Sequence, residues 1–258
     1  MSAWLFDLGN TRLKCAPLGA DGRPGDAVAL PHREEDVAAA LAEALPAERI
    51  EVAYLASVAH PALRMAVLEA LTARCRRISI ARTQASFRSP QGFAAARSDT
   101  LRIAYAEPRK LGADRFLALL GAHAQGEGAA LICGVGTALT IDLLDADGLH
   151  HGGLIAPSPT LMREALHARA PQLPEHGGAT LDFAADTEDA LASGCDGAAL
   201  ALIERSMASA AAKLGQRPRL LLHGGGADAL AAALPSPTLA PTLVLQGLAI
   251  WAGIETSP

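Results

Sequence analysis

Asp7-Leu8-Gly9-Asn10-Thr11 puts a carboxylate, a glycine and two small polar side chains on one short stretch, with Lys14 just beyond it. These residue types suit phosphate chemistry. Glycine lets the backbone approach an anion, backbone N–H groups and the Thr11 hydroxyl donate to it, and Asp7 can hold hydrated Mg²⁺ while Lys14 adds positive charge. The same residues also read as an ordinary Asn-containing hairpin turn with Asp7 as a local acceptor. A second stretch, Gly134-Val135-Gly136-Thr137-Ala138-Leu139-Thr140-Ile141-Asp142, repeats the theme, with Gly136 and Thr137 placed to grip phosphate oxygens and Asp142 near the site end of a strand. Leu111-Gly112-Ala113-Asp114-Arg115 is the sharpest acid/base candidate. Asp114 can accept the proton of a substrate hydroxyl while Arg115 offers a planar fork to a carboxylate. Standing where a loop becomes a helix, Asp114 also reads as an N-cap. The pair His150-His151 could bind metal, but adjacent strand residues point to opposite faces, so solvent or turn roles are expected for both.

These motifs need particular elements to carry them. Ala3 to Leu8 reads as a buried strand, turning at Gly9-Asn10 into a returning strand from Arg12 to Leu18. Glu34 to Leu45 has helical spacing through Val37, Leu41 and Leu45. A parallel strand over Ile50 to Val58, a helix over Ala62 to Arg74 and a strand over Arg77 to Ala81 follow. Thr83 to Leu111 has weak periodicity and reads as loop with short helical pieces. Asp114 to His123 is helical, and Ala129 to Cys133 and Leu139 to Leu144 flank the second glycine turn. Leu220 to Leu222 runs into Gly224-Gly225-Gly226 and a helix over Ala227 to Leu234. Apolar strand, glycine turn with Thr, apolar strand thus occurs twice, which predicts a duplicated two-lobe α/β fold. The expected division is 1–112 for the first lobe and 113–258 for the second. No G-x-x-x-x-G-K-[ST] occurs, and no strand leads into G-x-G-x-x-G, so neither a P-loop nor a dinucleotide-binding fold is indicated.

The chain has 258 residues, half of them hydrophobic but only 3% aromatic, with a formal net charge of −5. Few stacking rings and no concentrated basic face argue against nucleic-acid binding. Arg74, Arg76 and Arg77 read as a solvated helix end. Cys15, Cys75, Cys133 and Cys195 are widely spaced, with no Cys-x-x-Cys pair, and are expected to be reduced and buried. The N-terminus lacks the pattern of a signal peptide and no apolar run approaches a membrane span, so a cytoplasmic protein is expected.

Taken together, the motifs resemble a known family. Asp7-x-Gly9-Asn10-Thr11-x-x-Lys14, then Tyr105-x-x-Pro108-x-x-Leu111-Gly112-x-Asp114-Arg115, then Gly136-Thr137-Ala138-x-Thr140-x-Asp142, then Gly152-Gly153-x-Ile155-x-Pro157 are similar, in that order, to the motifs of the type III pantothenate kinases. The resemblance spans nearly the whole chain. It implies the actin-like, ribonuclease H-like fold of the sugar kinase, Hsp70 and actin superfamily, and ATP-dependent phosphorylation of pantothenate at the start of coenzyme A biosynthesis. By resemblance, Asp114 is the general base, and Tyr105, Gly112, Ala113 and Arg115 surround pantothenate. Asp7, Leu8, Gly9, Asn10, Thr11, Lys14, Gly136 and Thr137 surround the ATP phosphates, with Asp7 and Asp142 toward Mg²⁺. The resemblance further implies a monovalent cation, K⁺ or NH₄⁺, and a homodimer in which Thr187 is a partner-supplied substrate contact. The Ala-rich stretch after Ser193 would supply an isologous interface. A nucleotide-binding regulatory homologue with weak or no kinase activity is the alternative on the same fold.

Three positions depart from the family pattern. Gly134 stands where an Asp is usual, Ser158 follows Pro157 where Gly is usual, and His223 precedes the late glycines where Thr is usual. Loss of the carboxylate at 134 predicts weakened cation binding, restored by Gly134→Asp provided the turn does not need a left-handed glycine.

Overall fold

The computed structural model describes residues 2–31, 36–90 and 98–255. It divides into two compact units, Met1–Gly128 with Ala146–His151 and Thr242–Pro258, and Ala129–Asp145 with Gly152–Pro241.

The first unit opens with β1 (Ala3–Leu8), β2 (Arg12–Pro17) and β3 (Val28–Pro31), followed by α1 (Val37–Ala44), β4 (Ile50–Ser57), α2 (Pro61–Arg74) and β5 (Cys75–Ile80). Short apolar runs ending at turns make β1 and β2 an antiparallel hairpin, and helices between β1, β4 and β5 allow those strands to lie parallel. The sheet order is β3-β2-β1-β4-β5. One face is covered by α1 and α2, burying Phe6, Leu8, Leu13, Val37, Leu41, Ile50, Leu55, Leu63, Val67 and Leu71 in a single cluster. Pro61 opens α2 behind His60, whose Nδ1 accepts from Leu63 N. The expected helix from Glu34 begins outside the described residues and is helical over Val37–Ala44.

The region expected to be loop with helical pieces holds a small hairpin instead, β6 (Ser86–Arg88) against β7 (Thr100–Arg102), with one 3₁₀ turn at Pro108–Lys110. Residues 91–97 of that region lie outside the described residues. Helix α3 (Ala113–Ala124) follows and is buried along most of its length.

The second unit repeats the first. Strands β8 (Ala130–Val135), β9 (Ala138–Leu144) and β10 (His150–Pro157) are followed by α4 (Pro159–Arg169), α5 (Thr187–Leu214), β11 (Arg219–His223), α6 (Ala227–Ala231) and β12 (Thr238–Leu239). Their order, β10-β9-β8-β11-β12, is the first sheet's order strand for strand. Pairing directions also match, with β8–β9 antiparallel and β8–β11–β12 parallel. Ala199, Ile203, Met207 and Ala210 of α5 pack with Leu131, Cys133, Leu139, Ile141, Leu220 and Leu222 of the sheet.

The chain then returns to the first unit as α7 (Leu243–Glu255), which packs along α3. Gly121 and Gly247 permit this approach: a Cβ at 121 would stand 2.5 Å from Leu243 O, and one at 247 would collide with the Leu117 carbonyl. The compact units therefore differ from a division at 112/113, because α3 and α7 both belong with the first sheet. All four cysteines are free and buried. Among the described residues no helix is long and apolar enough to cross a membrane.

Candidate active site

In the first unit, the β1–β2 register sets Asp7 directly opposite Lys14, and the β1–β4 register sets it beside Ala56. Gly9 N donates to Arg12 O at 3.1 Å, closing the turn and leaving Asn10 and Thr11 exposed at its tip. Leu8 is wholly buried and anchors the strand end. Burial first and the charge of Asp114 second lift the Asp7 carboxyl from 3.8 to about 7, against the opposing pull of Lys14. Asp7 and Asp114, far apart in sequence, are thus close enough to repel each other. Two such carboxylates with one lysine are short of positive charge, which suits a hydrated divalent cation.

Gly112, not Asp114, is the N-cap residue of α3, and no side chain caps that helix. Asp114 stands in the first turn, its Oδ1 accepting from Arg115 N at 2.8 Å. The carboxylate lies over Gly112, where a Cβ would be 2.5 Å from Oδ1. Gly112 therefore leaves the room that the Asp114 carboxylate occupies, with Ala113 as the first helical residue between them.

Arg115 is buried, and its Nη1 donates to the Tyr105 hydroxyl at 3.2 Å. Tyr105 in turn stacks on His150, with ring centroids 5.9 Å apart and planes 19° from parallel. His150 is wholly buried, and its Nδ1 accepts from Ala104 N at 3.5 Å. This corrects the solvent or turn role expected for His150. The strand alternation sends His150 inward, where it backs the Tyr105 ring. Sequence reasoning missed it because its partner comes from a distant loop; the alternation itself was the available signal.

In the second unit, Gly136 and Thr137 form an exposed turn between β8 and β9, with Gly136 N donating to Ala138 O at 3.0 Å. Strand β8 runs through Gly134 to Val135, so the turn is shorter than the glycine pattern implied. The late glycine turn packs on it: Gly226 N donates to Val135 O at 3.0 Å, and Gly224, at φ 96°, faces the Val135 backbone where a Cβ would collide. Asp142 is buried on the sheet face that also carries Gly134 and Thr140. Its charge adds to the burial that pushes the Cys133 thiol up to about 12. Ser158 caps α4 by accepting from Leu161 N at 3.2 Å, so this departure serves the helix start. Thr187 is exposed as the first residue of α5, behind the Asp186 cap. Among the described residues no three His, Cys, Asp or Glu side chains converge as a metal cage. Mg²⁺ bound mainly through ATP phosphates needs only one or two carboxylates.

A sheet built twice, with a Gly/Thr turn after the first strand each time, is the fold of the sugar kinase, Hsp70 and actin class. Two solved structures share the fold: a putative Baf family transcriptional activator from Campylobacter jejuni (TM-score 0.61, 17% identity, covering 98% of this chain and 99% of that one), and a putative 2-dehydro-3-deoxygalactonokinase from Sinorhizobium meliloti (TM-score 0.57, 15% identity, 99% and 100%). Within that class, the family model for type III pantothenate kinase matches residues 4–209. The chain is 54% identical over 258 residues, the full length of both, to a type III pantothenate kinase of Xanthomonas axonopodis pv. citri (strain 306). It is 55% identical over 252 residues, 98% of both, to one of Stenotrophomonas maltophilia (strain K279a). The chain belongs to the type III pantothenate kinase family.

Proposed function

We infer that the chain transfers the γ-phosphoryl group of ATP to the terminal hydroxyl of pantothenate, giving 4'-phosphopantothenate and ADP in the cytoplasm, as the first step toward coenzyme A. The observation that supports this reading is the Asp7–Asp114 pair, in a chain of the type III pantothenate kinase family. Asp114 accepts the hydroxyl proton as the oxygen attacks, held in place by Arg115 N and the space over Gly112. Tyr105, braced by His150 and Arg115, forms a rigid wall for the substrate. Asp7 would hold Mg²⁺, with Asp142 as the second unit's candidate, and the ion would neutralise charge on the transferring phosphoryl group. The turns at Gly9-Asn10-Thr11 and Gly136-Thr137 supply donors for phosphate oxygens, and Lys14 adds charge.

The active form is a homodimer. The segment before α5 is pinned to that helix through Ala179 N to Asp189, Leu181 N to Ser193 Oγ and Thr180 Oγ1 to Asp196. It presents Phe183, 96% exposed, and Leu181 outward, while Ile155 on edge strand β10 and Leu166 on α4 are also exposed. Such exposed apolar side chains, with Phe183 four residues before Thr187, are what an isologous partner would cover. The test is a coupled ATPase assay with pantothenate alongside sedimentation. Pantothenate-dependent ADP release from a dimer is expected; a fully active monomer would contradict the shared site, and no release with pantothenate would contradict the reaction.

A further inference from the structure

The duplicated sheets place Gly134 where the first unit has Asp7. Each is the penultimate residue of the unit's first strand, and each sits in a row of three across neighbouring strands: Lys14, Asp7, Ala56 in one, Thr140, Gly134, His223 in the other. The first row centres on a carboxylate short of positive charge. The second has no carboxylate at its centre, and the space is already taken. A Cβ on Gly134 would stand 2.7 Å from Thr140 Oγ1 and 2.9 Å from both Cε1 and Nε2 of His223. The imidazole thus lies across Gly134. Its own strand leads straight into the Gly224–Gly226 turn, which packs on Val135 beside the exposed Gly136-Thr137 turn.

Gly134 is not in the left-handed region, so the backbone would accept a side chain while the surroundings would not. The expectation that Gly134→Asp alone restores a cation site therefore meets an obstacle: the new carboxylate must displace His223. This row offers a monovalent cation an imidazole in place of a carboxylate, and the carboxylate on the same face, Asp142, stands at the next same-face pair along the sheet. Gly134 and His223, two separate departures in the sequence, are direct neighbours in space.

We propose that His223 serves the second unit's phosphate turn as a protein-borne hydrogen-bond donor in place of a carboxylate-held monovalent cation, so that nucleotide binding by this chain is independent of K⁺ and NH₄⁺. The proposal deepens the ATP-binding part of the function above and does not depend on pantothenate. A donor fixed in the fold supplies the favourable interaction with phosphate oxygens that a bound cation would otherwise supply, without a second binding equilibrium.

The test is calorimetric titration of the full chain with Mg²⁺ and a non-hydrolysable ATP analogue, in KCl, NH₄Cl and tetramethylammonium chloride at equal ionic strength. Affinities within about twofold of one another across the salts are expected, as is a loss of about tenfold in His223→Ala, the worth of one charge-assisted hydrogen bond. Gly134→Asp/His223→Thr should bind about tenfold more tightly in KCl than in tetramethylammonium chloride, since it rebuilds a carboxylate with room for a cation. Tenfold tighter binding by the unmodified chain in KCl, or undiminished affinity in a folded His223→Ala, would overturn the proposal even if the double variant fails to fold. Absence of binding in every salt would overturn it together with the phosphotransfer reading, whereas cation-dependent binding overturns it alone.

Discussion

Replacing Asp7 by Asn removes a carboxyl that the fold holds in an unfavourable place. Folding lifts this group from 3.8 to about 7, through burial first and Asp114 second, against the attraction of Lys14. The unfolded chain keeps the ordinary value. Between those two values the native state retains a proton that the unfolded chain has released, so stability falls as pH rises through the window and the full cost is present above pH 7. A carboxyl moved from 3.8 to about 7 sets a ceiling of about 4 kcal/mol. Solvent screening at a half-buried site and the lost attraction to Lys14 reduce the gain expected for Asp7→Asn near pH 8 to about 1–3 kcal/mol. Near pH 3 the two proteins should agree within about 0.5 kcal/mol, because the carboxyl is then largely protonated in both states. Urea denaturation of the metal-free chain at several pH values, at one protein concentration, measures the difference. The variant should be more stable and yet lose phosphotransfer, since the same charge is what Mg²⁺ requires. A variant no more stable at pH 8 than the original, or a gain that is constant with pH, would refute the reasoning.

Gly112→Ala should stay folded, because the group its Cβ meets is the mobile end of Asp114. Its turnover should fall roughly 10- to 100-fold as the base is displaced, with the Km for ATP little changed, by steady-state kinetics. His150→Ala should raise the Km for pantothenate by about tenfold through loss of the ring behind Tyr105, while the Km for ATP stays within about twofold. Cys133, buried and with its thiol pushed up to about 12, should resist iodoacetamide in the native protein near pH 8 and react once urea unfolds it; mass spectrometry of the labelled peptide reads this directly.

The parts of this fold legible in the sequence are those whose signal is local. The β1–β2 and β8–β9 hairpins are short apolar runs broken by glycine, and their recurrence foretold two sheets of one design. Strand β10 gave no such signal: Leu149-His150-His151-Gly152-Gly153 has little apolar alternation, as befits an edge strand with much of its surface outward. Helix α4 carries Leu161, Met162, Ala165 and Leu166 at helical spacing but buries none of them, so it adds no core face to the pattern. Strands β6 and β7 have three residues each, too few to show a period of two. The return of α7 to the first unit depends on two glycines, Gly121 and Gly247, that look unremarkable apart and matter only where the helices meet. The site divides in the same way. Glycine, threonine and carboxylate spacing marked both turns and Asp114, whereas the nearness of Asp7 to Asp114, the stacking of His150 on Tyr105 and the fit of His223 over Gly134 are tertiary facts with no local pattern.

The most direct test of the central claim is pantothenate-dependent ADP release by the purified chain and by Asp114→Asn, compared under saturating ATP and Mg²⁺. The account predicts turnover by the unmodified chain and a loss of roughly 10²-fold or more in a folded variant that still binds pantothenate. Near-normal turnover in folded Asp114→Asn would contradict the assignment of the base, and no pantothenate-dependent turnover by the unmodified chain would contradict the account as a whole.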